Sequence, residues 1–373
     1  MRRLFAFLLL FLFLALPALC EDDEDFSLME LIYEDVMLED DGTETVLSSS
    51  DVFEADGSVL LTMTFTGDFT IGKNAKARKD IFNNELQEQG GDINFTMRNI
   101  RDILMADDMT LVNFEGTLTN STYIPANKKN NDFLFSAPPE YVSMLSDNGV
   151  ECVSLENNHI MDHGEEAYED TKAALRSAGI VYSNSTEKGV YTVKGVDVCM
   201  LSYLCIDRYE MLWDKVPADI AAAKAEYPIV IVSFHWGVEK YYVPTENQIR
   251  MGRLAVDAGA DLVIGHHSHR IQPIECYKGV YICYSLGNFC FAGNSKPDDM
   301  SSIVFQTRFR VRDGEVTNEG FRIIPIRISS RRDRNDFAPT PLKDVTYIDS
   351  VVTTLRSNGR KLQYAVSDYP LEW

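Results

Sequence analysis

The chain has 373 residues, 45% of them hydrophobic, and a formal net charge of −22. That length and apolar content suffice for one large core or two small ones. The acidity excludes a nucleic-acid interface built on basic residues, and the one long apolar run, residues 4–19, is shorter than a comfortable membrane span.

Arg2 and Arg3 precede the apolar run Leu4–Leu19, and Ala18-Leu19-Cys20 resembles a small-residue cleavage site. Residues 1–20 therefore read as a targeting segment. Cleavage after Cys20, lipidation of Cys20 and retention as an uncleaved anchor all remain open. Each puts the protein outside the cytoplasm, either secreted or attached to the outer face of the cytoplasmic membrane. Residues 21–57 hold fifteen Asp or Glu and no Lys or Arg, the composition of a solvated, disordered leader. One domain is expected over residues 58–330, with residues 331–373 as a C-terminal extension packed on or near it.

Val59–Phe65 reads as a strand ending at Gly67-Asp68, and Ile93–Ala106 has helical spacing. Leu111–Phe114 is a short strand closed by Glu115, and Ser121–Asn131 is polar and loop-like. Glu140–Asp147 reads as a helix, Cys152–Leu155 as a strand, and Glu165–Ala178 as a helix stopped by Gly179. Strands Gly189–Val193 and Asp197–Leu204 flank a Lys194-Gly195 turn. Helices Ala218–Glu226 and Glu246–Ala258 alternate with strands Ile229–Phe234 and Leu262–Ile264. Four strands follow: Ile271–Tyr277, Val280–Ser285, Ile303–Val311 and Glu315–Ile326. Arg331–Asn335 reads as a charged loop and Thr346–Ser357 as a short helix. Alternation followed by a run of strands predicts a two-sheet α/β sandwich rather than a doubly wound sheet.

Seven cysteines are present and none has C-x-x-C spacing. Cys152, Cys199, Cys276 and Cys283 lie in strand-like runs, which predicts buried free thiols.

All six histidines fall into three motifs: Asn157-Asn158-His159-Ile160-Met161-Asp162-His163-Gly164, Phe234-His235-Trp236-Gly237 and Gly265-His266-His267-Ser268-His269. Each motif follows a strand-like run. Loops at the carboxyl ends of strands in open α/β sheets converge on one crevice. Asp68, Asn113, Glu115, Asn158, His159, His235, His267 and His269 would then meet at one rim. His267 and His269 are expected to point the same way from an extended loop. Mixed oxygen and imidazole ligation suits zinc, manganese or iron better than calcium. One or two such ions could activate a water and clamp a reacting centre.

The sequence resembles the bacterial poly-γ-glutamate capsule synthesis proteins of the CapA type, a branch of the calcineurin-like metallophosphoesterases. The resemblance covers roughly residues 60–326. It rests on Gly67-Asp68-Phe69-Thr70-Ile71-Gly72, Asn113-Phe114-Glu115-Gly116 and Asn157-Asn158-His159 with Asp162 and Gly164. It also rests on Phe234-His235-Trp236-Gly237 with Glu239, the Gly265 motif, Pro273-Ile274-Glu275 and Tyr284-Ser285-Leu286-Gly287-Asn288-Phe289.

The resemblance implies a four-layer αββα sandwich. It implies that Asp68 holds a first metal, that Glu115 bridges, and that Asn158, His235 and His267 bind a second metal. His269 would return to the first. His159, steadied by Asp162, would be the general acid or oxyanion partner. Asn113, Glu239 and Asn288 are then substrate-binding candidates, joined by Lys73 from the basic stretch Lys73, Lys76, Arg78 and Lys79. Thr70 stands where the phosphoesterases carry the histidine of D-x-H, so the first metal site lacks one imidazole and a single ion is an alternative.

The resemblance implies an exported, metal-dependent hydrolase-like protein acting in the synthesis, anchoring or trimming of poly-γ-glutamate or another capsule polymer, at a phosphoester or a γ-glutamyl amide. The competing expectation is a non-catalytic accessory subunit that binds polymer or membrane-bound synthase partners.

Overall fold

A computed structural model describes residues 53–129, 133–207 and 209–373. The expected targeting segment and most of the acidic leader lie outside the described residues. In chain order the strands are β1 (Val59–Thr70), β2 (Lys73–Asn74), β3 (Met109–Phe114), β4 (Thr117–Leu118), β5 (Phe135–Ala137) and β6 (Cys152–Ser154). Next come β7 (Val181–Ser183), β8 (Gly189–Val193), β9 (Val196–Cys205), β10 (Ile229–Trp236), β11 (Leu262–His266) and β12 (Ile274–Tyr277). The last are β13 (Val280–Cys283), β14 (Asn288–Phe291), β15 (Ser301–Arg312), β16 (Glu315–Arg327) and β17 (Thr340–Pro341). The helices are α1 (Ile81–Glu88), α2 (Arg101–Leu104), α3 (Ser143–Ser146), α4 (Gly164–Ser177), α5 (Lys215–Lys224), α6 (Glu246–Asp257) and α7 (Val345–Gly359).

Two large sheets dominate. The first has the order β17-β16-β15-β1-β3-β6-β7, with β14 also paired to β1; the second runs β12-β13-β11-β10-β9-β8. A small third sheet joins β2, β5 and β4. Three separate apolar cores reveal the layering. Leu61, Met63, Phe65 and Leu111 of the first sheet meet Val198, Met200, Ile231 and Ile264 of the second. The alternate residues of the first sheet, Val112, Phe114 and Val153, pack with Leu86, Leu104, Leu145 and Leu175 of helices. The alternate residues of the second, Cys199, Leu201, Val230 and Val232, pack with Ile220 of α5 and Met251 of α6. This period-two division is what a strand buried on both faces requires. The result is helix, sheet, sheet, helix: a four-layer αββα sandwich. The C-terminal residues join it through β17 and through α7, whose Val351 and Leu355 enter the inter-sheet core.

Several expected elements differ from the observed ones. The single helix expected over Ile93–Ala106 is a 3-10 turn, Ile93–Thr96, followed by the one-turn α2. Asn94, Thr96 and Asn99 are weak helix formers, and Asn94 is engaged by Asn148 Nδ2 at 2.9 Å. Glu140–Asp147 likewise splits, because Pro138 and Pro139 open it as a 3-10 turn before α3. The first strand does not end at Gly67-Asp68. It continues to Thr70 and changes partners on the way: Val59–Phe65 pair antiparallel with β15, whereas Asp68–Thr70 pair parallel with β14. Gly67 permits the exchange, since a Cβ there would lie 2.0 Å from the Gly287 carbonyl oxygen. The six cysteines among the described residues are all free thiols, and Cys276 alone of them is not fully buried.

Candidate metal centre

Both large sheets send residues to one place. Asp68 stands in β1 with a register shift on either side of it. Asn113 lies in β3 at the position paired with Asp68, and Glu115 follows β3 directly. Asn158 and His159 follow β6. From the second sheet come His235 in β10, and His267 and His269 just beyond β11.

Asp68 is fully buried, and its Oδ1 accepts from Asn113 Nδ2 at 2.8 Å. Its Oδ2 lies 3.1 Å from His269 Nδ1 and accepts a long bond from the His267 amide at 3.4 Å. Glu115 Oε1 is 3.6 Å from His235 Nε2 and 3.8 Å from His159 Nε2. Three sets of ligand atoms fall within 4.8 Å of one another: Asp68, Glu115 and His269; Glu115, His235 and His267; and Glu239, His267 and His269. Glu115 is common to the first two, where a bridging carboxylate would stand.

His267 and His269 do not sit on an extended loop. Their φ angles are 87° and 51°, in the left-handed region that non-glycine residues rarely enter. Ser268 Oγ donates to the Arg270 carbonyl at 2.8 Å, closing a tight turn between them. Backbone strain of this kind accumulates at functional sites. The turn starts from Gly265, whose missing Cβ leaves room for the Tyr284 carbonyl, 2.1 Å from where a Cβ would stand. That carbonyl also accepts from Trp236 Nε1 at 2.8 Å, so the residue beside His235 is anchored from the same point.

The electrostatics divide the groups. Burial works against the charge of Asp68, but the imidazoles of His266 and His269 outweigh it and hold the carboxyl well below its usual range. Burial and then the nearby Asp68 charge push Glu115 up to about 7. Burial would neutralise His269, yet Glu115 and Asp68 push it up to about 9. Burial, then His269, brings His267 down to about 4. Burial and His267 hold His235 well below its ordinary value. Neutral His235 and His267 are in the state that ligates a metal.

A metal fits these residues. Glu115 Oε1, Asn158 Oδ1, His235 Nε2 and His267 Nδ1 are all buried and have no hydrogen-bond partner among the described residues. Each orphaned polar atom would cost about 1–3 kcal/mol if nothing met it, and Glu115, His235 and His267 offer ligand atoms within 4.8 Å of one another. Two carboxylates, an amide oxygen and three imidazoles form a mixed donor set suited to a divalent transition metal.

His159 stands beside this set. Its Nδ1 is 2.7 Å from Asp162 Oδ2, and the Asp162 hydrogen bond raises the imidazole's pKa against the effect of burial. Asp162 also accepts from Lys128 Nζ at 2.9 Å and from the Phe135 amide at 2.8 Å. Asn288 Oδ1 lies 2.9 Å from His269 Nδ1. Glu239 is exposed at the edge of the cluster. Lys73 is exposed at the start of β2, and Lys76 donates to the Lys129 carbonyl.

Besides His159, two further histidines of the motifs are not in the ligand groups. His163 Nδ1 meets the Tyr123 carbonyl at 2.8 Å. His266, fully buried, sits 3.4 Å from Asp68 Oδ1 on its other flank. Sequence reading also passed over supporting residues. Thr70 Oγ1 donates to Glu115 Oε2 at 3.4 Å, and Asn157 Nδ2 donates to the Phe114 carbonyl at 2.8 Å while its Oδ1 accepts from the His159 amide. Asn157 could have been found from its place in the Asn-Asn-His run. Lys128 carried no signal, lying in a polar loop.

Residues 62–293 match the family described as "Bacterial capsule synthesis protein PGA_cap". A Bacillus subtilis protein named "PGA biosynthesis protein CapA" is 29% identical over 306 residues, covering 76% of this chain and 74% of that one. The Bacillus anthracis "Capsule biosynthesis protein CapA" is 28% identical over 274 residues, 66% of this chain and 64% of that one. A Mycobacterium tuberculosis "Probable polyglutamine synthesis accessory protein" is 26% identical over 267 residues, 61% of this chain and 68% of that one. Among solved structures, the calcineurin-like phosphoesterase YfkN from Bacillus subtilis aligns with TM-score 0.39 and 16% identity, covering 81% of this chain and all of that one. A phosphatase from Mycoplasma pneumoniae aligns with TM-score 0.41 and 13% identity, covering 78% of this chain and 96% of that one.

Proposed function

The chain belongs to the bacterial capsule synthesis protein family PGA_cap, and from that premise we propose that it is an exported, metal-dependent hydrolase that trims or releases poly-γ-glutamate in capsule metabolism. The observation that carries the reading is the buried group of Glu115, His235 and His267, whose ligand atoms lie within 4.8 Å of one another, beside a His159–Asp162 pair. The names of the Bacillus relatives support the polymer, and Arg2, Arg3 and the apolar run after them support export.

Asp68, Glu115, Asn158, His235, His267 and His269 would hold one or two ions of manganese, zinc or iron. A bound ion of this class supplies Lewis acidity and lowers the pKa of a water. The protein's own residues do the rest. Asp162 fixes the His159 ring and favours its protonated form, so that Nε2 is the group able to pass a proton to a departing amine or alkoxide. General acid help of this kind contributes about 10²–10⁴-fold. Asn113 and Asn157 hold the strand ends in register, and Asn288 restrains the His269 ring. The same constellation serves a γ-glutamyl amide or a phosphoester, because both reactions need a polarised oxygen and a protonated leaving group.

A second reading, a non-catalytic accessory subunit, is favoured by Thr70. Its hydroxyl is bonded to Glu115, so the Asp68–Glu115–His269 group has a single imidazole. One experiment separates the two. Metal content is measured on purified protein alongside release from poly-γ-glutamate and from bis(4-nitrophenyl) phosphate. Hydrolysis that requires the metal supports the enzyme; full metal occupancy with neither bond cleaved, yet polymer bound, supports the accessory subunit.

A further inference from the structure

The connection from β4 to β5 was read from sequence as an ordinary polar loop, yet the histidine motif holds it at three points. His163 Nδ1 meets the Tyr123 carbonyl at 2.8 Å, Lys128 Nζ meets Asp162 Oδ1 at 2.9 Å, and the Phe135 amide donates to Asp162 Oδ2 at 2.8 Å. Asp162 thus orients His159 and anchors this connection with the same carboxylate.

The anchoring sets aromatic rings at the mouth of the site. Phe135 meets His159 edge-on, with ring centroids 5.1 Å apart. Phe291 lies 6.4 Å from Phe135 and 5.3 Å from His269. Phe133 stacks on Phe135 at 6.0 Å with only 16° between the planes, and its side of the stack is open: Phe133 is 51% exposed. A phenyl ring held flat and half exposed beside a site offers an apolar surface to a ligand. Lys128, with 18% of its side chain exposed, places an ammonium on the same connection.

We propose that Phe133, backed by Phe135, together with Lys128 forms a subsite for one γ-linked glutamyl unit next to the scissile bond. Each such unit has two methylenes in its main chain and a free carboxylate on the α-carbon. The ring covers the methylenes and the ammonium takes the carboxylate. An α-linked glutamyl unit has the same composition and charge but carries its methylenes in the side chain, out of line with the backbone. The subsite therefore reads linkage rather than charge. This inference rests on the polymer reading given above.

The test uses the metal-loaded full chain and two fluorescein-labelled hexaglutamates, one γ-linked and one α-linked, followed by fluorescence anisotropy. Wild type should bind the γ-linked isomer more tightly. Phe133→Ala should weaken that binding about three- to tenfold, the size of one aromatic contact, with unchanged metal content and unchanged affinity for the α-linked isomer. Phe133→Tyr should restore it. Lys128→Met should weaken γ-linked binding and reduce its salt dependence. If wild type prefers the γ-linked isomer and Phe133→Ala keeps that preference intact, the subsite is wrong and the polymer reading stands. If fully metallated wild type neither binds nor cleaves either isomer, the polymer reading is wrong and the subsite falls with it.

Discussion

In the two candidate ligand groups that share Glu115, the first sheet supplies the oxygens and the second the nitrogens. Asp68, Asn113 and Glu115 come from β1 and β3; His235, His267 and His269 come from β10 and the turn after β11. The first sheet also holds a control within itself. Asp107, just before β3, is a partly buried carboxyl, and burial together with the neighbouring Glu151 and Asp108 charges pushes it up to about 7. Asp68 is more deeply buried, yet it is held well below the usual range. The difference is what stands opposite. Asp68 faces two imidazoles, whereas Asp107 is bonded by the hydroxyl of Thr110 at 2.7 Å. Burial alone does not decide whether a carboxyl is charged; the facing layer does.

Removing the nitrogen half should have the largest effect. The double variant His235→Ala and His267→Ala leaves Glu115 with no imidazole from the second ligand group. Metal content by elemental analysis should fall to background, and metal-dependent hydrolysis should vanish with it. Stoichiometric metal in the folded double variant would break the division between the sheets.

His159 belongs to neither set of ligands, so it should behave differently. His159→Ala should keep its metal and its melting transition but lose about 10²–10⁴-fold in kcat. A loss confined to KM would mean that His159 binds substrate and does not move a proton.

Asp107 tests the electrostatic side of the comparison. Its folded pKa is raised above the unfolded value, so the folded state holds its proton more tightly. The native state therefore loses stability as pH rises from about 4 to about 7, by roughly 4 kcal/mol at most. Asp107→Asn should remove that decline, and urea unfolding of both proteins at pH 4 and pH 7.5 reads it. A variant no more stable than wild type at pH 7.5 would show that the folded state does not raise the Asp107 pKa.

How legible this was depends on the kind of information. That acidic and imidazole side chains would gather at one rim was readable because side-chain type at strand ends is written in the sequence. The layering was readable because strands buried on both faces leave runs such as Ile229–Phe234. What was not readable depends on contacts between distant segments. The partner change within β1 needs the Gly287 carbonyl against Gly67. The split of Ile93–Ala106 involves Asn148. The positive φ angles at His267 and His269 are imposed by the turn through Ser268 and Arg270, and the expected extended loop was wrong although the two rings do converge. Lys128 reaches Asp162 from a loop whose composition announces nothing.

The smallest predicted effect concerns Thr70, where the oxygen half differs most from the D-x-H pattern. The hydroxyl is buried and gives its proton to Glu115 Oε2 at 3.4 Å, leaving Oε1 without a partner and facing His235. The distance is long for a hydroxyl donor, so the bond should be weak. Thr70→Val keeps the shape and removes only the donor. Metal affinity should then fall about two- to fivefold, at or below the low end for residues that support a ligand, with little change in the melting temperature of the ion-free protein. A competitive chelator titration measures it. A loss of a hundredfold would mean that Thr70 itself reaches the ion, and the oxygen half would then gain a fourth member in place of the absent imidazole. No change at all would mean that Glu115 is held by its surroundings alone, and that its orientation toward the second sheet comes from packing between the layers.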